Sequence, residues 1–287
     1  MSALLPPTKL TATTLDDFLG NQPVIVGTNA KFDLTHITFV SPSAIVSLSA
    51  ICHALHGTGY RVTIKVPESD VRRYLMRLGF MTAVREVVTF DPEVPKARSL
   101  MFDALRGTNP VLVEVTKIEN GAALPDLLDQ LVQVLRSRLR YKKNDAFDIV
   151  TAVSEICQNT FDHNAGTFGF ICMQMYQKEA ERFIEIAVAD HGVGLKETLQ
   201  QNPKNPPIRS DLEAITMATR LGTSQFDDPT RGTGLHHLLE IAFKHQATLE
   251  IRSGSSKMRF RMDKKQGWKF PCQPAAGVIA SLNVHRK

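Results

Sequence analysis

The chain has 287 residues, 43% of them hydrophobic and 22% charged, with 34 basic against 29 acidic side chains and a formal net charge of +5. Those values fit a globular chain able to bury a core, and the length suits two domains of roughly 100–200 residues each. They exclude a membrane-crossing helix, since no apolar run approaches the roughly 18 residues it requires.

The first residues, Met1 to Lys9, lack a basic segment followed by an apolar one and do not read as a secretory signal. Cys52, Cys157, Cys172 and Cys272 are scattered, with no Cys-x-x-Cys pair. They read as free thiols in a reducing compartment, and a cytoplasmic protein is expected.

In chain order, residues 23–27 predict a strand, and 32–40 a second with partial period-2 alternation at Phe32, Leu34 and Ile37. Ile45, Val46, Leu48, Ile51, Cys52 and Leu55 recur at helical spacing, predicting a helix over 43–55 that ends at Gly57-Thr58-Gly59. Residues 61–66 alternate as a strand closed by Pro67, and 70–78 predict a helix stopped by Gly79. This order implies an α/β layer. Cys52, His53 and His56 share a helix turn, but Cys52 lies on the apolar face and no second ligand pair is evident, so a zinc site is not expected.

The blocks Ile37 to Ile45, containing Ser41-Pro42-Ser43, and Tyr74 to Phe80, containing Gly79, resemble a STAS-like domain, the fold of anti-sigma-factor antagonists. The resemblance implies a sheet-and-helix layer with an interaction role. In the antagonists a serine of the first block is phosphorylated; Pro42 stands at that position and has no hydroxyl. Ser43 is read as a helix cap, its oxygen satisfying an orphan backbone N–H.

Residues 93–109 carry little apolar periodicity and read as a linker. Residues 111–115 predict a strand, and Leu124, Leu127, Leu128, Leu131, Val132, Leu135 and Leu139 mark an amphipathic helix. Arg136, Arg138, Arg140, Lys142 and Lys143 follow; they read as its solvated end, with a nucleic-acid patch as the lesser alternative. Met173 and Met175 are expected in a strand core.

Three short motifs carry the chemistry. On a helix predicted over 145–163, Glu155, Asn159 and His163 form a line at i, i+4 and i+8. An amide oxygen there suits Mg²⁺, and a carboxylate can order a water or take a proton; a solvated polar stripe has the same pattern. A strand over 183–189 then meets Asp190-His191-Gly192-Val193-Gly194. An acid at a strand end can accept from an exocyclic amine, and glycines let backbone approach a flat base; an ordinary Asp–Gly turn looks alike. Last, Arg231-Gly232-Thr233-Gly234 precedes a helix over 235–243, an arrangement that suits phosphate through free N–H groups. His236 and His237 follow this turn and could touch ligand, but are expected as exposed first-turn residues.

Taken together, the motifs resemble the Bergerat-type (GHKL) ATPase domain shared by gyrase B, the heat-shock-90 chaperones, histidine kinases and MutL, over roughly residues 111–284. That resemblance implies that Asn159 coordinates Mg²⁺, Asp190 holds the adenine amine, and Glu155 matches the general base of the ATPase and serine-kinase branches. Gly192 and Gly194 line the base; Gly232, Thr233 and Gly234 cover the phosphates, with Arg231 adding charge. Residues 196–231 are the mobile lid, whose Thr223-Ser224 approaches phosphate. Gly277-Val278 stands where the family often has Gly-Thr. There is no upstream phosphoacceptor helix, which argues against an ordinary histidine kinase.

The expected protein is α/β, an α+β sandwich. Residues 1–92 form the STAS-like layer, 93–109 the linker, and 110–287 an ATP-binding domain with a mixed sheet covered on one face by helices. The expected cofactors are ATP and Mg²⁺. The expected activity is serine/threonine phosphotransfer or switching as in anti-sigma kinases; hydrolysis or nucleotide sensing without kinase activity is the alternative. An antagonist-type or sigma-factor-type protein is the expected partner, with a homodimer possible and neither membrane nor nucleic acid expected.

Overall fold

The computed structural model describes residues 7–68, 70–94, 112–162, 168–178, 181–220, 234–261 and 266–285. The N-terminal part runs β1 (Lys9–Leu10), α1 (Leu15–Leu19), β2 (Val24–Val26), β3 (Asn29–Asp33), β4 (Phe39–Val40), α2 (Pro42–Gly57), β5 (Arg61–Lys65), α3 (Asp70–Arg77), α4 (Phe80–Val84) and β6 (Val88–Asp91). Strands β3, β5 and β6 are parallel neighbours, and β2 joins β3 antiparallel at the edge. Gly79, at φ +79°, lets the chain turn between α3 and α4, a conformation glycine adopts without steric cost.

The single strand expected over 32–40 is broken. Asp33 Oδ1 accepts both the backbone N–H and the hydroxyl of Thr35, at 2.9 and 2.6 Å. Such a local side-chain bond competes with the ladder and turns the chain. Strand β4 then pairs parallel with β1, away from the main sheet.

The rest runs β7 (Leu112–Ile118), α5 (Leu124–Ser137), α6 (Lys143–Asp162), β8 (Gly169–Lys178), β9 (Glu181–Asp190), α7 (Leu195–Gln200), α8 (Asp211–Ala218), α9 (Gly234–Lys244), β10 (Thr248–Arg261) and β11 (Gln266–His285). The second sheet has the order β10-β11-β9-β8-β7. Every pairing in it is antiparallel, in place of the expected mixed sheet.

This sheet is covered on both faces, where the sequence predicts helices on one. Ile184 through Asp190 are buried without interruption, as in a strand with two covered faces. Ile184, Ile186 and Val188 pack in a core with α5, α6 and α9. Ala187 and Ala189 face the other way, into a core shared with α2. Their small side chains leave room for a helix, and α2 lies against β8, β9 and β11 while also contacting β5.

Helix α2 is therefore enclosed between two sheets, and residues 41–50 are all buried. Fully burying Ile45, Val46 and Leu48 stabilises by roughly 1.5–3 kcal/mol each relative to exposure. The serines interleaved with them are satisfied within the helix. Ser47 Oγ donates to the Ser43 carbonyl at 2.6 Å and Ser49 Oγ to that of Ile45 at 2.9 Å.

The expected cap at Ser43 is not formed by its hydroxyl. Ser41 occupies the cap position, and the two serine hydroxyls bond each other at 2.9 Å. The backbone N–H of Ser43 is instead accepted by Glu185 Oε1 of β9 at 2.9 Å. Helix α1 is tied to the same sheet by Asp16, which accepts from Arg252 Nη1 at 2.8 Å, from Lys257 Nζ, and from the Gln273 N–H at 3.2 Å. No helix among the described residues is long and apolar enough to cross a membrane.

Candidate functional site

Four glycines set the geometry that joins the three motifs. Thr160, next to Asn159 on α6, is so close to Gly169 of β8 that a Cβ there would lie 2.6 Å from the threonine side chain. Gly169 pairs across the ladder with Asp190, so the end of α6 abuts the strand end that carries the second motif. On the other side of β9, a Cβ on Gly277 of β11 would lie 2.1 Å from the Asp190 carbonyl oxygen. At φ +76°, Gly277 also holds a backbone conformation that other residues rarely adopt.

The Asp190 carboxylate is buried and shaped by backbone donors. Oδ1 accepts the Gly192 N–H at 2.8 Å, and Oδ2 the Val278 N–H at 3.3 Å. Val278, which lacks the hydroxyl of the expected threonine, thus contributes through its backbone. Gly194, at φ +87°, begins α7, and the next N–H, of Leu195, donates to Ser253 Oγ at 2.9 Å.

The third motif meets the first. Gly234 opens α9 against α6, where a Cβ would lie 3.0 Å from Asn159 Nδ2 and 3.4 Å from Glu155 Cβ. Glu155 Oε1 faces His237 Nδ1 of α9 at 3.2 Å. Glu155 Oε2 is buried with no hydrogen-bond partner among the described residues.

Neither His236 nor His237 is the exposed first-turn residue that the sequence predicts; both are half-buried. His236 Nδ1 lies 3.0 Å from the Thr219 carbonyl, and its Nε2 is 3.6 Å from Glu240. Sequence spacing held no sign of the His237 contact, because its partner lies 82 residues away.

His163, Thr223, Ser224, Arg231, Gly232 and Thr233 lie outside the described residues. The first part of the expected lid is packed structure. Leu199 of α7, Ile208, and Ala214, Ile215 and Ala218 of α8 are buried in the core. The remainder of that lid, 221–231, also falls outside.

Beside the second motif, His191 joins a cluster of rings. Its ring centroid is 4.6 Å from Phe168 and 6.1 Å from His53 of α2, while Lys117 Nζ sits 3.7 Å from the Phe168 centroid. Burial pushes both histidines below their ordinary value of 6.5, and the neighbouring cation Lys117 pushes the same way. His53 is thus a ring partner in this cluster, and its Nε2 lies 3.1 Å from the Ala83 carbonyl. Cys52 is a buried thiol raised far above its ordinary value.

One group among the described residues has metal-ligand spacing. Asp145, Asp148 and His245 bring ligand atoms within 4.8 Å of one another. Lys244 Nζ already neutralises that spot, pairing with Asp148 and lying 3.6 Å from Asp145. Met173 is fully enclosed in its strand, and Met175 partly so. No protein-family model matches the chain, and no curated protein matches it.

Proposed function

We propose that the protein binds Mg-ATP in a GHKL-type pocket bounded by α6, the end of β9, β11 and the start of α9, and that a STAS-like N-terminal module is joined to it. The observation that carries this reading is the contact of Gly234 with Glu155 and Asn159. It brings the glycine-rich helix start against the acid and amide of the first motif, and those residue types in that arrangement suit a magnesium phosphate.

The residues present fit that ligand. Gly234 leaves a cradle that a side chain would fill, and Glu155 Oε2 is a buried acceptor without a partner among the described residues. In this reading Asn159 would hold Mg²⁺ through its amide oxygen, and the Asp190 carboxylate at the end of β9 would accept the adenine amine. Gly192 and Gly194 let the backbone approach the base. The resemblance assigns Thr223, Ser224, Arg231, Gly232 and Thr233, which lie outside the described residues, to the phosphates. Bound Mg-ATP supplies an electrophilic phosphoryl group, and Glu155 takes the proton of the attacking hydroxyl or water.

The favoured use of ATP is serine/threonine phosphotransfer to a separate antagonist-type or sigma-factor-type protein in the cytoplasm. A second reading, nucleotide sensing or hydrolysis without kinase activity, is favoured by one specific observation. The Ser41-Pro42-Ser43 block is buried against the chain's own sheet, so its hydroxyls are not presented to an active site.

Incubation with labelled ATP, with and without candidate antagonist proteins, separates the two. Labelled partner protein supports the first and free phosphate alone the second. Failure to bind Mg-ATP overturns both.

A further inference from the structure

We propose that His237 is a positioning residue that fixes the carboxylate of Glu155. This inference rests on the pocket reading above and deepens it.

A carboxylate only accepts hydrogen bonds, so an imidazole nitrogen 3.2 Å from Glu155 Oε1 must be the one that carries hydrogen. His237 is therefore the Nδ1–H tautomer or the imidazolium. His237 also lines a surface groove shared with Asp148, Glu240, Phe243 and Lys244.

The bond has a defined consequence. Glutamate has three side-chain torsions, and a free one samples many orientations. Held at Oε1, Glu155 leaves Oε2 as its working atom, and that atom is the one buried without a partner among the described residues. His237 lies one turn beyond Gly234 on α9, so the helix that begins at the phosphate side also carries the group that orients the base. Neighbouring His236 cannot do this, because it is turned to Thr219 and Glu240.

Nitrogen-15 NMR of His237 and nucleotide kinetics test the proposal together. In the protein without nucleotide, Nδ1 is expected to carry hydrogen, and that signature is expected to change in Glu155→Ala. His237→Ala should lower turnover by about 10- to 100-fold, while the ATP dissociation constant stays within about twofold. His237→Asn, whose Nδ2 can replace the Nδ1–H donor, should restore most of the loss.

An Nε2–H tautomer, unchanged turnover in His237→Ala, or His237→Asn no better than His237→Ala overturns the positioning role. Wild-type protein that binds Mg-ATP without turning it over also overturns it, and leaves the pocket standing. Wild-type protein that binds no Mg-ATP sinks the pocket reading itself, a distinct result.

Discussion

Glu185 of β9 accepts the Ser43 N–H at the first turn of α2, at 2.9 Å, across 142 residues of sequence. A strand of the second sheet thereby caps a helix of the N-terminal part, and the partial positive charge of a helix start favours an acid there. Glu185→Ala leaves that buried N–H unsatisfied and should destabilise the protein by about 1–3 kcal/mol in urea unfolding. Glu185→Gln keeps an acceptor oxygen and should lose less. Equal losses in the two variants would contradict the capping role.

Gly277→Ala tests the contact beneath Asp190. A Cβ there meets backbone at 2.1 Å, which cannot move as a side-chain tip can, and the positive φ adds strain of about 1–3 kcal/mol. Gly254 is a matched control. It also has positive φ, but its Cβ would meet the Asp211 carboxylate, the end of a side chain. The expected order of denaturation midpoints is wild type, then Gly254→Ala, then Gly277→Ala. The reverse order of the two variants would contradict the close approach.

The first helix should be held by charge as well as packing. Arg252 and Lys257 are almost wholly buried, and both pair with Asp16. Asp16→Ala leaves two buried cations short of their counter-ion, a loss on the order of 3 kcal/mol. A thermal melt of the variant matching wild type would show that the clamp contributes nothing.

How much of this was legible in the sequence differs by element. Helix α6 was readable because its apolar residues recur on a helical period, and strand β9 as a short, nearly continuous apolar run. The β10–β11 pair was not. Ser253, Gly254, Ser255 and Ser256 break the apolar pattern in mid-strand, and register shifts around Gly254 interrupt the alternation. Glu185 left a trace, as a lone acid within an apolar strand, but its partner Ser43 could only be known from the packed structure. Gly234 of the third motif and Gly277 of β11 were visible as residues. Their contacts, Gly277 with Asp190 and Gly234 with Asn159, were not, because they join segments far apart in the chain.

The ring cluster predicts a pH dependence. His53 and His191 have folded values below 6.5, so the unfolded chain binds more protons than the folded one between those values and 6.5. Stability from this pair is therefore complete above 6.5 and is lost as pH falls through the lowered values, at up to about 1.4 kcal/mol per pH unit for each histidine. Glu185 and Glu250, raised by burial above 4.5, work in the opposite direction, losing stability as pH rises from 4.5 through their folded values. Urea unfolding between pH 5 and 8 in wild type and in the double variant His53→Phe, His191→Phe isolates the histidines. The variant should lose less stability on acidification; an unchanged profile would contradict the assignment.

Calorimetric titration of Mg-ATP into wild type and Asp190→Asn decides whether the nucleotide pocket exists, with melting curves to confirm that the variant is folded. Wild type is expected to bind Mg-ATP, and Asp190→Asn to weaken binding by at least about tenfold, the loss of a hydrogen bond to a charged acceptor. Wild type that binds no Mg-ATP, or a folded Asp190→Asn with undiminished affinity, would contradict the pocket.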